Sequence, residues 1–522
     1  MSTRNYLILF IISLSVAISI ASTQSTPGYM DADYYYATGI QLAEGKGFTE
    51  PFLWNYLDNP SGLPHPSHAY WMPLASILTA ISIRIAPGFG FDSAQIAFIL
   101  LSALVPLITA SLAFSLTSRR DLSIISSLLA LFSGYYAPFL TTTDTFSLYM
   151  VLGGSFFLAF KIRKTWFKAI VLGLIAALLH LSRADGAIWL VIAVLSLITH
   201  HSSRPFKLSS FLFSLSLTVV SYFLLITPWF LRNINAFGTP LAPGGDQMLW
   251  LTSYNQIFSY PTGGLSIESW LASGWGEIIK ARLWAVKLNL GTTLGVQGGV
   301  ILLPFIIWGA WKERKKQIVY TGIFAWVTTF LVMTVVFPFA GARGGFFHSG
   351  AALQPLWWAL APIGLEQLIA WVAKKRRWRL REARQVFLAG LVGMSVLLTG
   401  AILWGRGLSP VAREQAQKTG VPLYTSIEKI ISAQEGDEGQ AIIVSNPPGY
   451  FLASERYALA LPDGDIDAVL AIAKRYNAGY LILEGGGVTE GLMPIFDAPA
   501  TEEKLIFLKQ IEGAKIFVIE TK

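Results

Sequence analysis

Two aspartates near the N-terminus, Asp31 and Asp33, are the residues whose type and position best suit chemistry. They follow the first apolar segment and precede three consecutive tyrosines in the stretch 28–36. In a helix, Asp31 and Tyr35 share one face because they lie four residues apart. Asp31 would also lie near the positive N-terminal end of the helix dipole. The alternative interpretation is structural, with either aspartate capping the helix that ends near Gly45.

Other ionisable residues lie beside apolar segments, where a charge is costly to bury and usually serves function. The further candidates for a substrate site are Asp144, Arg343, His348, Arg232, His65, His68 and Tyr35. Arg343 stands among glycines in 341–345, which leave room for an anion to approach closely.

Several of these residues have a structural alternative. Asp144 would serve equally as the cap of the next apolar segment, and Arg232 as an anchor at the membrane interface. For Arg183 and Asp185, the short spacing favours a structural ion pair that holds a tight turn. His65 and His68 are metal-ligand types, but no partner spacing supports a metal site there.

The composition defines the class of protein. Hydrophobic residues make up 53% of the 522 residues and charged residues only 13%, about half of the charge that a soluble protein carries. The formal net charge of +8 comes from short basic clusters between apolar segments, as in cytoplasmic loops of membrane proteins. These clusters, without a nucleic-acid-binding motif, predict a polytopic membrane protein and no nucleic-acid partner.

Absent motifs exclude other classes of enzyme. The sequence has no cysteine, which removes thiolate catalysis and disulfides. It also lacks a Walker-type phosphate loop, a His-Glu-x-x-His motif and a Gly-x-Ser-x-Gly motif. ATP-driven transport and zinc or serine hydrolysis are therefore unsupported.

Apolar segments and basic clusters together predict the topology. After a short first span at 7–20, apolar segments lie at 92–116, 122–140, 146–160, 168–183, 186–199, 208–231, 296–311, 317–339, 350–373 and 386–404. Basic clusters occur at Arg119-Arg120, 161–168, Arg204 with Lys207, 312–316 and 374–384. All five fall on the cytoplasmic side if 70–86 is an interfacial helix and not a span. The expected fold is an α-helical membrane protein of about 11 spans, with a cytoplasmic N-terminus.

Three regions are then expected on the outer side. They are a first loop at 23–91, a second loop at 232–295 and a C-terminal domain at 405–522. In the last region, short apolar runs at 440–445, 480–484 and 515–519 predict strands, and 465–476 predicts a helix that begins at Asp465. The sequence therefore predicts a small external α/β domain after a transmembrane domain at 1–404.

The transmembrane part resembles the GT-C glycosyltransferases, similar to the protein mannosyltransferase and aminoarabinose transferase group. The resemblance rests on the acidic motif with a tyrosine four residues on, on Gly45-Lys46-Gly47 and on the segment 70–74. The motifs at 180–186 and 227–233 add to it. This chain has Asp-Ala-Asp where the family usually has Asp-Glu, and 64–68 replaces a Lys-Pro-Pro segment. A lysine that would contact the lipid phosphate is thereby missing.

The resemblance implies transfer of a sugar, with inversion, from a polyprenyl-phosphate carrier to a protein, glycan or lipid acceptor at the outer membrane face. It implies that Asp31 is the general base, and that Asp33 or Asp144 orients the acceptor or holds sugar hydroxyls. Arg343 is the first choice for the leaving phosphate, followed by Arg232 and His348, and His65 or His68 would replace the missing lysine. Asp31 and Asp33 form an Asp-x-Asp pair that can bind a divalent ion, although mannosyltransferase-like relatives generally act without one. The alternative function is a lipid-linked-sugar flippase or transporter.

Overall fold

Helices dominate the computed structural model, which describes residues 2–88, 90–202, 208–434, 439–499 and 504–520. Within these ranges, seven helical segments are long and apolar enough to cross a membrane: Thr3–Ala21, Phe91–Thr117, Thr165–Ser182, Leu208–Phe237, Gln317–Val336, Pro338–Arg376 and Leu380–Leu408. The other main helices are Met30–Ala43, Leu74–Ile85, Arg120–Leu131, Phe146–Ala159, Ile188–Ser202, Gly274–Thr292, Leu303–Glu313, Pro410–Gln417, Gly420–Ile431, Pro447–Ser454 and Ile466–Tyr476. The protein is therefore a multi-pass membrane protein, as its composition predicts.

Every apolar segment predicted to span overlaps a helix, but the predicted number of 11 spans is not confirmed. Phe146–Ala159 and Leu303–Glu313 are 14 and 11 residues long, which is shorter than a bilayer core requires. The segment 70–86 contains the helix Leu74–Ile85, which exposes Ile81 and Ile85. Its interfacial position stays a prediction, and the basic residues Arg204 and Lys207 lie outside the described residues.

Close helix packing brings the two halves of the membrane part together. A Cβ on Gly153 would lie 2.1 Å from the carbonyl oxygen of Ala352, and one on Gly364 would lie 1.9 Å from that of Phe305. Only glycine permits such an approach, as is common between membrane helices. The contact at Gly153 fixes the helix Phe146–Ala159 against the segment that follows His348.

The C-terminal region folds around a six-stranded sheet. Eight strands occur in the described chain: β1 Thr49–Glu50, β2 Phe52–Leu53, β3 His65–Pro66, β4 Ala441–Val444, β5 Ala458–Ala460, β6 Ala478–Glu484, β7 Leu505–Ile511 and β8 Ala514–Ile519. The sheet order is β2-β5-β4-β6-β8-β7, with the first four strands parallel. The three predicted strands are β4, β6 and β8, and the predicted helix is Ile466–Tyr476, which is capped by the Asp465 side chain.

The sheet is not built from the C-terminal region alone. Its edge strand β2 comes from the first outer loop and pairs in parallel with β5. Nearby, β1 and β3 form a separate antiparallel pair within that loop. The first outer loop and the C-terminal region therefore share one sheet, so both are fixed above the membrane helices.

Candidate active site

Asp31 lies in the first turn of the helix Met30–Ala43, which we call the first outer helix. Its N-cap is Tyr29, and no side chain caps its backbone. The alternative in which Asp31 or Asp33 caps this helix is therefore wrong. Each carboxylate instead faces residues elsewhere in the chain.

Three ligand-type side chains meet at Asp31. Its Oδ2 lies 3.6 Å from Nε2 of His348, which in turn lies 3.2 Å from Oδ2 of Asp144. The ligand atoms of the three side chains all lie within 4.8 Å of one another. The Asp144 side chain is 1% exposed, whereas that of Asp31 is 31% exposed. We call these residues the Asp31 group, of which Asp31 is the open member.

Asp144 is held by several donors. Its Oδ2 accepts a hydrogen bond of 2.6 Å from the Tyr29 hydroxyl, and its Oδ1 accepts from the Thr145 backbone amide. The alternative in which Asp144 caps the next helix is wrong, because the N-cap of that helix is Thr145 and no side chain caps it. Asp144 instead contacts His348. The motif at 28–36 contains Tyr29, but no local pattern identifies its partner, which lies 115 residues away.

Threonines attach the turn before Phe146 to the start of the first outer helix. The Thr143 hydroxyl donates to the Ala32 carbonyl oxygen at 2.8 Å, and the Thr141 hydroxyl bonds Gln24 at 3.0 Å. All five residues of 141–145 are buried. These bonds fix Asp144 relative to Asp31.

His348 is oriented by a break in its own helix. Gly344 has φ +129°, a conformation suited to glycine, and its carbonyl oxygen accepts a 3.0 Å bond from Nδ1 of His348. The Phe146 ring stacks on the imidazole at 4.1 Å. The ring therefore presents Nε2 to both carboxylates.

Burial and charge set the protonation of the two carboxylates. Burial raises the pKa of Asp31 to about 6, although the charges of His348 and Arg183 lower it. Burial also acts to raise the pKa of Asp144, but His348 and the hydrogen bonds to Asp144 hold it below its ordinary value. At neutral pH, Asp31 is therefore ionised and more basic than an ordinary aspartate, which suits a general base.

Asp33 does not join Asp31. Its Oδ2 accepts a 2.8 Å bond from the Asn446 side chain of the C-terminal region. Gly449 permits this approach, since a Cβ there would lie 2.9 Å from Oδ2 of Asp33. Burial raises the pKa of Asp33 to about 7. The carboxylate that could share a cation with Asp31 is therefore Asp144, and not Asp33 as the Asp-x-Asp pair predicts.

Two arginines lie near the Asp31 group. Arg343 is exposed, and its guanidinium lies 4.6 Å above the Tyr254 ring. Arg183 forms the expected ion pair with Asp185, at 2.9 Å through Nε, and its positive charge also acts on Asp31 and Tyr35. Sequence reasoning did not select Arg183 as a site residue, because its pairing with Asp185 explained it locally.

His65, His68 and Arg232 lie in a different group, which also contains Glu50 and Asp58. Nε2 of His65 lies 3.0 Å from Asp58, and its Nδ1 lies 3.7 Å from Glu50. His68 is fully buried between Ser67 and Ser76. We call this the His65 group.

Arg232 lies beside His68 in the His65 group. It donates to the Phe48 carbonyl oxygen at 3.1 Å and lies 4.9 Å above the Trp229 ring. Arg232 and His68 are charge neighbours, and burial with this charge holds the pKa of His68 well below its ordinary value. The structure therefore does not bring these three candidates to Asp31.

The donor set of the Asp31 group fits a divalent cation. Two carboxylates and an imidazole suit ions such as Mn²⁺ or Zn²⁺, and the bond from Nδ1 of His348 to a carbonyl oxygen is typical of a metal-bound histidine. If the His348 ring is neutral, its Nε2 lone pair and both carboxylates would be directed at one point, where the cation would bind. A protonated ring would instead donate its Nε2 hydrogen to Asp144.

The protein has the GT-C fold of membrane glycosyltransferases, as the resemblance predicted. It matches ArnT from Cupriavidus metallidurans bound to undecaprenyl phosphate with a TM-score of 0.57 and 11% identity, over 99% of this chain and 98% of that chain. It also matches the archaeal oligosaccharyltransferase AglB from Archaeoglobus fulgidus, in complex with an inhibitory peptide and a dolichol-phosphate. There the TM-score is 0.53 and the identity 12%, over 91% of this chain and 69% of that chain.

A second structure of the Archaeoglobus fulgidus oligosaccharyltransferase, in complex with Zn and sulfate, matches with a TM-score of 0.53 and 14% identity. The match covers 91% of this chain and 67% of that chain. At such identities the likeness establishes the fold alone. No family model and no curated protein sequence matches this chain.

Proposed function

We propose that this protein is an inverting glycosyltransferase that moves a sugar from a polyprenyl-phosphate carrier to an acceptor at the outer face of the cell membrane. The observation that carries the proposal is the Asp31 carboxylate, partly open within a buried group of polar residues. The polyprenyl phosphates bound to ArnT and AglB support the class of donor. The membrane part, 1–404, would carry the chemistry with its N-terminus in the cytoplasm, and 405–522 would lie outside.

Asp31 acts as the general base in this proposal. Its carboxylate accepts the proton of an acceptor hydroxyl while that oxygen attacks the anomeric carbon from the face opposite the phosphate. The bond from the anomeric carbon to the phosphate oxygen breaks, and polyprenyl phosphate leaves. The sugar passes through an oxocarbenium-like transition state, and the configuration inverts because the acceptor attacks from the face opposite the leaving phosphate.

Cationic groups stabilise the charge that grows on the leaving phosphate. Arg343 suits this role because no carboxylate among the described residues pairs with it, and the broken helix at 341–345 leaves its guanidinium exposed. Arg183 supplies a second positive charge close to Asp31. His348 contributes when its ring is protonated.

A divalent cation would be held by Asp31, Asp144 and His348. When bound, it would supply positive charge next to the donor phosphate. Asp31 could still accept a proton, because a carboxylate has two oxygens and several lone pairs. The complex of the archaeal neighbour with Zn is consistent with this proposal.

The test is sugar transfer by Asp31→Asn in purified protein, with a radiolabelled polyprenyl-phosphate sugar as donor and membrane extract as acceptor source. Loss of the base should lower kcat about 10²–10⁴-fold. The matched control is Glu44→Gln, which neutralises an exposed carboxylate after the first outer helix that is paired only with Lys46 at the surface. Control activity should equal that of the wild type.

Two outcomes would limit the proposal. Wild-type transfer by Asp31→Asn, at equal protein level, would remove Asp31 from the mechanism. Full activity after dialysis against EDTA would exclude the cation and leave the base in place. Loss after EDTA that Mn²⁺ or Mg²⁺ restores would assign the cation.

A further inference from the structure

A cavity of about 1160 Å³ lies between the membrane part and the C-terminal sheet. The membrane part contributes Asp33, Tyr254 and Arg343 to its lining, and the C-terminal region contributes residues such as Asn446 and Glu484. This volume is enough for several sugar residues or another extended ligand. Met30, the neighbour of Asp31 in the sequence, also lines the cavity, as does Arg343 beside the Gly344 that bonds His348, so the cavity extends close to the Asp31 group.

The cavity lies at the carboxyl ends of the parallel strands. Ser445 and Asn446 directly follow β4, Leu461 follows β5, and Gly485–Gly487 follow β6. In open α/β sheets, ligands bind beyond the carboxyl ends of the strands. This region of the C-terminal domain therefore has the architecture of a ligand site, and not only of a support for the membrane part.

Buried polar atoms in the lining lack partners. Oδ1 of Asp33 has no hydrogen-bond partner among the described residues, although the Asp33 side chain is only 3% exposed. The Ser445 hydroxyl is equally without a partner in the described part of the chain. Buried polar groups of this kind are costly unless something bonds them, and both belong to residues that line the cavity.

The chemistry of the lining suits a polyhydroxylated ligand. Carboxylates and amides such as Asp33, Glu484 and Asn446 can bond hydroxyl groups, which both donate and accept. Tyr254 and Phe258 add flat apolar faces, which can pack against the C–H faces of a sugar ring. The lining thus combines polar groups with aromatic planes, as a saccharide requires.

Two other ligand classes fit less well. A peptide that binds by strand addition needs a free sheet edge, whereas the edge strands here are β2 and β7 and the cavity lies at strand ends. An anionic lipid headgroup, other than the donor phosphate that we assign to Arg343, would meet the carboxylates of Asp33, Glu484 and Glu512, with Lys418 as the remaining cation of the described lining.

We propose that this cavity binds a saccharide, and that Asp33 recognises its hydroxyl groups without acting on the reacting atom. The assignment of that saccharide as the acceptor rests on the proposed glycosyl transfer. Binding itself does not depend on it. Asp31 then acts in the chemical step on one side of the first outer helix, and Asp33 recognises the saccharide on the other side.

The experiment measures hydrogen–deuterium exchange of the full-length protein in lipid nanodiscs, with and without neutral tetrasaccharides (maltotetraose, cellotetraose and mannotetraose). At least one of them should protect amides in 445–449 and 484–489. Gly486→Trp should weaken that binding at least about tenfold by filling the cavity, since a Cβ at this exposed lining position meets nothing within 4 Å. Asp33→Asn, which keeps the shape of the side chain, should weaken it by about tenfold.

Gly264→Trp is the matched control, because this exposed glycine also has nothing within 4 Å of a Cβ and does not line the cavity. Its affinity should equal that of the wild type. Absence of protection by all three saccharides, or protection by a random peptide library in their place, would overturn the proposal. Equal saccharide affinity in Gly486→Trp would also overturn it.

The Asp31→Asn protein separates the two proposals. Saccharide binding that persists there, with no transfer by the wild type from any polyprenyl-phosphate sugar, would refute the transferase and retain the saccharide site. Wild-type rates of transfer by Gly486→Trp, without detectable saccharide binding, would refute the assignment of the saccharide as the acceptor and retain both the saccharide site and the transferase.

Discussion

The Asp31 group and the His65 group use the same residue types, acidic side chains and histidine, but they differ in how far their carboxylates are exposed. The side chains of His65, Asp58 and Glu50 are each 6–7% exposed. In the Asp31 group, Asp144 is equally buried, but Asp31 is 31% exposed. A carboxylate that lies beside a buried charged group and is also exposed to solvent can contact a substrate.

The two groups also differ in the hydrogen bonds that their carboxylates accept. In the His65 group, Tyr34 donates to Glu50 at 2.6 Å and itself accepts from the His68 backbone amide at 2.7 Å. No hydrogen bond to the Asp31 carboxylate occurs among the described residues, and its nearest cation, His348, lies 3.6 Å away. The His65 group is therefore the more extensively bonded of the two, although Nδ1 of His65 has no hydrogen-bond partner among the described residues, whereas the Asp31 carboxylate has all of its hydrogen-bonding capacity left for a ligand.

Substitutions in the Asp31 group should lower activity, whereas substitutions in the His65 group should lower stability. After Asp31→Asn, the largest loss of activity is expected for Asp144→Asn. Asp144→Asn removes the charge that faces His348 and should lower kcat about 10²–10³-fold. The measurement is single-turnover sugar transfer. Ser147→Ala is the control, because its buried hydroxyl has no partner among the described residues, and it should retain full activity.

His65→Ala should act mainly on stability. It leaves Asp58 and Glu50 buried without their cation, which typically costs about 3–5 kcal/mol. The check is denaturant-induced unfolding in detergent, with transfer activity measured per folded molecule and expected to change less than about threefold. Lys46→Ala breaks only an exposed pair and should cost below about 1 kcal/mol. A large loss of activity in folded His65→Ala would place this group in the mechanism.

The arginines offer the same comparison. Arg343→Ala should lower kcat/KM about 10–100-fold with unchanged stability, because its guanidinium has no carboxylate partner in the described chain. Arg232→Ala should instead lower stability and leave kcat/KM unchanged, since Arg232 bonds Phe48 and lies over Trp229. Equal effects of both substitutions on kcat/KM would contradict the separation.

A further expected effect is a pH dependence of stability that arises from His65. Burial lowers the pKa of His65, but Asp58 and Glu50 outweigh it and raise the pKa to about 9. The stabilisation is fully present below the unfolded value of about 6.5 and is lost as pH rises through about 9. Thermal unfolding between pH 6 and pH 9.5 should show this decline, and His65→Gln should flatten it. A slope that is unchanged in His65→Gln would assign the decline to other groups.

Local signals in the sequence account for part of the site. The four-residue spacing of Asp31 and Tyr35 on one helix is a local property, and it holds in the first outer helix. Arg343 is exposed in the structure, and the approach of an anion between its neighbouring glycines stays a prediction. The contact of Asp33 with Asn446 spans 413 residues, and no local pattern can encode such a partner.

The sequence by itself determined the membrane class, the positions of the apolar helices and three of the strands, because composition and periodicity are set within one element. The tertiary structure decided which polar residues share a site. It directed Asp31 to Asp144 and His348, and Asp33 to the C-terminal sheet, because their positions on the first outer helix point to different neighbours. The tertiary structure also adds β2 to a sheet whose neighbouring strand β5 lies about 400 residues later in the chain. The two residues of β2 are too few to show a strand period. Side-chain direction and long-range packing, and not residue type, therefore separate the proposed catalytic carboxylate from the one that we assign to recognition.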